Sequence, residues 1–391
     1  MSSKFITFAK KSICKKAQGA EFTHKGATMK RIFQAILLGF IGFFALACSG
    51  ANSSNSTDKS ATSDFITLKE QGSFSVGGVV LKNKEGKSYH ADHAYVFYQI
   101  PANSKAYPMV FVHGFGQFSK TWETTPDGRE GFQNIFLKQS YPVYLVDQPR
   151  RGNAGKSTQS VSIKPDINDE RWFNHFRIGI YPKHFEGVQF PRDEASLNQF
   201  YRQMTPTIAK SEDLELYAKT HAALLDKIGG AILITHSQGG RVGWLTALKT
   251  DNIKAIVAYE PGGQLPFPKG QMPEQGKLLN IQGQPEGIEV SREEFLKFTK
   301  FPIIAYFGDN IPQDEAEAKK VGYPLNYAWR VRLNIMREWV KLINENGGDA
   351  QVVHLPEIGI KGNTHFPFSD LNNADIARLL SEWLKAKGLD K

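Results

Sequence analysis

The stretch that most constrains this chain is Ala231–Leu248, AILITHSQGGRVGWLTAL. Ala231–Ile234 is a short apolar run of strand type, and Gly229-Gly230 bounds it on the N-terminal side. From Gly240 the chain resumes with Val242, Leu245 and Leu248 three apart, which is helical spacing. The residues from Thr235 to Gly239 must therefore turn a strand into a helix. Such a turn strains the residue at its apex, whose neighbours two positions away must be small. Gly239 meets that need on one side of Ser237, and Thr235 meets it less well on the other. The helix beginning at Gln238 points its free N–H groups back at the turn, where they favour a negative oxygen. Ser237 is thus a candidate nucleophile. The pentapeptide alone is weak support, because a serine in an ordinary strand-to-helix turn reads the same way. A base, an acid and a second donor to an oxyanion must come from elsewhere in the chain.

The formal charge of +9 suggests a basic protein, but its distribution does not. Of 48 Lys/Arg and 39 Asp/Glu, residues 1–47 hold eight and one, which leaves 40 against 38. The remainder is nearly neutral and gives no reason to expect nucleic acid. The basic end has another cause. Met29-Lys30-Arg31 is a short positive segment, and Ile32–Ala47 is almost unbroken apolar sequence, short for a membrane span. We read residues 1–47 as an upstream extension followed by a signal peptide starting at Met29. Ala45-Leu46-Ala47-Cys48 resembles a bacterial lipoprotein cleavage box, with Ala45 where Leu is usual. On that reading Cys48 is lipidated, and the protein is held on the cell envelope through that lipid alone. Plain secretion, or a soluble periplasmic form, with cleavage near Ala47 is the alternative. Residues 48–64 have no large apolar side chain and form a disordered linker. It would span roughly 20 Å. Cys14 and Cys48 are the only cysteines, so the domain at 65–391 contains no disulfide.

Within that domain, FSVGGVVL, NKEG and YHADHAYVFYQI form a hairpin that enters a sheet. His90 and His93 lack further ligands nearby and are read as ordinary surface histidines rather than a metal site. Met109–Val112 is a buried strand running into His113-Gly114-Phe115-Gly116. Glycines at that point let backbone N–H groups approach a substrate oxygen. Phe115 N–H and Gln238 N–H are therefore the candidate oxyanion donors. Asp147, at the end of the Pro142–Val146 strand, is read as a loop anchor. Strands and helices alternate from Met109 onward, so the fold is α/β with a mostly parallel sheet. Residues 157–206 break that alternation. Their aromatic side chains, among them Trp172, Phe176 and Phe200, suggest an inserted cap over an apolar pocket. His365 follows the last strand, Ala350–Leu355, and is the candidate base, losing its proton near about pH 6.5–7. Two carboxylates compete as the acid, Glu260 after Ile253–Tyr259 and Asp309 after Phe301–Phe307. Both strand ends reach the face that carries Ser237, so position does not choose between them.

The segments HGFGQFSKTWETTPDGREGF, LVDQPRRG, THSQGG, YEPGG and GNTHFPFSD carry a resemblance. Over about residues 74–389 the chain resembles the α/β-hydrolase superfamily, and more narrowly a small group of bacterial carboxylesterases. That resemblance implies an α/β-hydrolase fold with an inserted cap, and a serine hydrolase that cleaves small-molecule esters without metal or cofactor. It also makes Thr235 an ordinary residue at its position, and it places the acid on Glu260, with Asp309 structuring its loop. A peptidase or carbon–carbon hydrolase on the same triad is the enzymatic alternative, and a catalytically silent binding lipoprotein is the other. Neither oligomeric state nor natural substrate follows from these residues.

Overall fold

The structure is a computed structural model, and it describes residues 65–280 and 283–391. The signal segment, Cys48 and the 48–64 linker lie outside these residues. Eight strands form one sheet. They are β1 (Leu68–Val76), β2 (Ala94–Pro101), β3 (Met109–Val112), β4 (Val143–Asp147), β5 (Ala231–His236), β6 (Ile253–Tyr259), β7 (Ile303–Phe307) and β8 (Ala350–His354). Their order across the sheet is β1-β2-β4-β3-β5-β6-β7-β8. The β1–β2 and β2–β4 pairs are antiparallel, and every later pair is parallel. Five helices cover the two faces: α1 (Phe132–Lys138), α2 (Leu214–Ile228), α3 (Gln238–Ala247), α4 (Tyr327–Glu345) and α5 (Asn373–Ala386).

Strands β3, β5 and β7 are buried at every position, which is why they read as unbroken apolar runs. Their alternate residues enter different cores. Phe111, Ile232 and Ile234 pack with Phe132 and Phe136 of α1 and Ile376 and Leu380 of α5. Val110, Val112 and Leu233 pack with Leu224 of α2, Trp244 of α3 and Trp339 of α4. Each such side chain contributes on the order of 1.5–3 kcal/mol by leaving water. Helix α2 starts at Asp213, whose carboxylate accepts the Leu216 N–H at 3.0 Å, and ends at Gly229 in the left-handed conformation. Because the strands from β3 onward are parallel, their carboxyl ends share one edge, and the loops after them form the site.

Two regions depart from the sequence expectation. The run FSVGGVVL is two strands, not one. Its Gly77-Gly78 turn sends Val79–Lys82 back onto Ser88–Ala91 in a small ribbon, and β1 and β2 alone enter the main sheet. Between β6 and β7, Leu265–Pro268 pairs in parallel with Gly287–Val290. Two prolines in four residues, LPFP, argue against a central strand, and the pair tolerates them because each of its two strands is an edge. Residues 157–206 contain helices Glu170–His175 and Glu194–Arg202 and a short ribbon of Gly179–Ile180 with Lys183–His184. Phe173, Phe176, Phe190 and Phe200 from this stretch are buried in the same core as α1 and α5. Among the described residues, no helix is long and apolar enough to cross a membrane.

Candidate active site

Ser237 ends β5 and caps α3 with φ 53° and ψ −120°. This is the left-handed side of the map, which costs a non-glycine residue of order 1–3 kcal/mol. Neighbouring backbone holds it there. The Ser237 N–H donates to the Tyr259 carbonyl at 3.0 Å, and the Ser237 carbonyl accepts from Gly262 at 2.8 Å and Gly240 at 2.9 Å. Thr235, the larger residue before the turn, faces α3 at Gly243. A Cβ on Gly243 would fall 3.0 Å from Thr235 Cγ2, so the helix supplies the space that the strand does not.

The loop after β3 lies against this turn. A Cβ on Gly114 would fall 2.9 Å from Ser237 Cβ. Arg151, fully buried, donates from Nη1 to the Gly114 carbonyl at 2.8 Å. The Gly114–Phe115 peptide is planar and trans, so fixing its C=O aims the Phe115 N–H the opposite way. That N–H donates to no other described residue. Gln148 braces the same loop through the His113 carbonyl at 2.7 Å. The Gln238 side-chain carbonyl accepts from Arg151 at 3.2 Å and from Gln148 at 3.3 Å. Asp147 is a loop anchor: it accepts from Ser119 N–H at 2.7 Å and Asn153 N–H at 2.8 Å.

His365 sits in the loop after β8, completely buried. Its ring stacks on Phe176 with centroids 4.8 Å apart and meets Trp329 at 4.2 Å. Asp370 fixes the loop by accepting Thr364 N–H at 2.7 Å and Thr364 Oγ1–H at 2.8 Å. The His365 Nδ1 lies 3.3 Å from Glu260 Oε2. A carboxylate accepts only, so Nδ1 carries the proton and Nε2 is left as the free acceptor. Nε2 has no hydrogen-bond partner, and no hydrogen bond joins it to the Ser237 hydroxyl. Contacts of this kind are often long without substrate and tighten in the complex. Burial pushes the His365 pKa well below the ordinary histidine value, and the nearby Arg177 cation, His175 and Arg332 add to it. The imidazole is therefore neutral at neutral pH, and its proton leaves at a lower pH than the 6.5–7 expected of an ordinary histidine.

Glu260 and Asp309 occupy different places. Glu260 is fully buried, with φ 50°. Its Oε1 accepts from Arg177 Nη2 at 2.5 Å and from the Gly308 N–H, and its Oε2 faces His365. Asp309 instead accepts Asn310 N–H and Gly362 N–H, both at 2.7 Å, and so ties the β7 and β8 loops together. Arg177 is the residue that sequence reasoning missed. It is fully buried, also at positive φ, and comes from the stretch between β4 and α2. Nothing in its local sequence sets it apart. Arg151 carried a signal, because it lies in the LVDQPRRG segment.

A cavity of about 410 Å³ opens at this edge of the sheet. Ser237, Gln238, Phe115, Trp172, Phe176 and Trp329 are among its lining residues. A turn-borne serine on a sheet of this order, with a glycine loop after β3 and a histidine after β8, is the arrangement of an α/β hydrolase. The chain belongs to the alpha/beta hydrolase family, whose model matches residues 109–379. It is 30% identical over 328 residues to "Probable secreted lipase phiG" of Fungal sp. (strain ATCC 74256), covering 77% of this chain and 88% of that protein. It is also similar to a solved structure of a novel bacterial esterase, at 29% identity and a TM-score of 0.65, covering 82% of this chain and 96% of that one.

Proposed function

We propose that the chain is an exported carboxylesterase acting through an acyl-enzyme on Ser237. His365 Nε2 takes the Ser237 proton as Oγ attacks the ester carbonyl carbon. The carbonyl electrons move onto oxygen, which accepts from the Phe115 and Gln238 N–H groups. The tetrahedral species collapses, the alcohol leaves with the proton from His365, and the acyl group remains on Ser237. Water then attacks, His365 takes its proton and returns it to Ser237, and the acid departs. Glu260 keeps Nδ1 protonated and stabilises the transient imidazolium, with Arg177 holding Glu260. Residues 157–206 act as the cap, and Cys48 carries the lipid.

The observation that carries this reading is the buried His365–Glu260 pair, with a protonated Nδ1 and an unpartnered Nε2. The His365 ring packs on His236, the residue before a serine held in a strained turn on the cavity wall. The similarity to a secreted lipase and to a bacterial esterase supports ester hydrolysis and export. The test is labelling with a fluorophosphonate followed by assay on a panel of esters. Ser237 should be the labelled residue, and Ser237→Ala should lose labelling and about 10⁶ in turnover. Unlabelled Ser237 in folded protein would remove the proposal.

A further inference from the structure

The cavity wall is rich in cations. Arg171, Arg241 and Arg332 line it, and no described Asp or Glu does. Arg171 is at the exposed rim and pairs with Asp166. The other two are buried. Arg241 lies in the first turn of α3, four residues after the Ser237 cap, and both residues line the cavity. It is 4% exposed, and its stem lies against Gly262, whose N–H holds the Ser237 carbonyl. Its Nη1 is 3.3 Å from Glu212 Oε2, its Nη2 donates to Gln284, and its Nε has no partner. Glu212 also serves Arg151, at 3.3 Å through its other oxygen. Arg332, from α4, lies over the Trp329 ring at 4.6 Å and pairs with Glu286 at 3.1 Å.

These five groups, Arg151, Arg241, Arg332, Glu212 and Glu286, leave one buried positive charge without a carboxylate of its own. Burial holds the Arg241 pKa below its ordinary value; Glu212 and Glu286 offset this in part, and the Arg332 cation adds to it. A buried cation in that position gains by meeting an anion. The fork of a guanidinium fits a carboxylate, and one surplus charge matches one carboxylate. Trp172, Phe176 and Trp329 would cover the apolar part of the same molecule.

We propose that the substrate is an ester bearing a carboxylate a few bonds from its scissile carbonyl, and that Arg241 and Arg332 bind this carboxylate while Ser237 attacks. A half-ester of a short dicarboxylic acid has that form, and its hydrolysis gives the dicarboxylate and an alcohol. The inference rests on the esterase reading above and deepens it.

The experiment compares kcat/KM within two matched pairs on the full chain. Phenyl hemisuccinate is set against phenyl 4-methylpentanoate, with the charge on the acyl side. Butyryl glycolate is set against isobutyl butyrate, with the charge on the alcohol side. The charged member of at least one pair should lead by about tenfold or more, as expected of a charge-assisted bond, and Arg241→Gln should abolish that lead. Glutarate, and not glutaramide, should slow fluorophosphonate labelling of the wild-type protein. That second readout decides the matter if Arg241→Gln does not fold: protection supports the proposal, and its absence overturns it. Equal turnover within both pairs, or a lead that survives Arg241→Gln, also overturns it. Absence of both labelling and turnover would instead overturn the esterase reading, and this inference with it.

Discussion

Replacing Glu260 by Gln changes one atom and, on this geometry, inverts the site. The carboxylate oxygens have separate duties: Oε1 takes Arg177 and Gly308, and Oε2 takes His365 Nδ1–H. A glutamine keeps its oxygen on the two donors, because turning its NH₂ toward Arg177 would set donor against donor. Its NH₂ then faces Nδ1, which can accept only by giving up its proton. The proton moves to Nε2, and Nε2 can no longer take one from Ser237. Loss of the correct tautomer costs about 10⁴ in turnover, or about 5.5 kcal/mol of transition-state stabilisation. Glu260→Gln should therefore fall by about 10³–10⁴ while remaining folded. Asp309→Asn keeps one acceptor oxygen and disturbs at most two backbone N–H bonds, of which that from Gly362 joins two loops. It should lose about tenfold in turnover and about 1–3 kcal/mol in stability. Ester hydrolysis and a denaturant melt on both variants provide the check. Reversed losses in two folded variants would make Asp309 the acid and refute the tautomer argument.

Activity should rise with pH as His365 loses its proton, with a midpoint below the ordinary histidine value of about 6.5, because burial and Arg177 depress it. A midpoint above 7 in the profile of kcat/KM would contradict the buried geometry. Arg177→Met leaves the Glu260 carboxylate buried without its counter-charge and should cost about 3–5 kcal/mol, read as a lower unfolding midpoint. His221 is buried with neither ring nitrogen partnered, and burial pushes its pKa down to about 4. The unfolded chain takes that proton from about pH 6.5 downward while the folded chain resists to about 4, so about 3 kcal/mol present above pH 6.5 is lost by pH 4. His221→Leu should flatten the fall of the unfolding free energy over that range, and an unchanged slope would count against it. Cys48→Ser should move the protein from the membrane fraction to the soluble fraction, and a wild type without lipid by mass spectrometry would end the anchor proposal.

The sheet was legible because β3, β5 and β7 are buried on both faces and so write themselves as apolar runs that begin after a proline or a glycine. The serine turn was legible for the same reason, being fixed by the strand before it and the helix after it. Thr235 looked like a flaw until the chain folded, since the compensating Gly243 lies eight residues on, across the strand–helix contact. The choice between Glu260 and Asp309 could not come from spacing. Both follow strands ending at one edge, and what separates them is which carboxylate Arg177 and Gly308 turn toward His365. Arg177 itself sits in the stretch where strand and helix periodicity fail. Its role depends on contacts 83 residues away in sequence, which no local pattern encodes.

The stretch between β4 and α2 does more than line the cavity. Phe176 supplies both a ring beneath His365 and a carbonyl that accepts the His365 N–H at 3.0 Å. Arg177, the next residue, supplies the charge beside Glu260, and Gln189 bonds to the Gly362 carbonyl at 2.7 Å. Anyone re-engineering this protein by exchanging that stretch for one from a relative should not treat it as a detachable visor. A chimera spliced at residues 157 and 206 would change the cavity lining and lose the props of the proposed base and acid, His365 and Glu260. The seam that preserves them leaves Phe176 to Gln189 with the sheet and exchanges only what lies on either side.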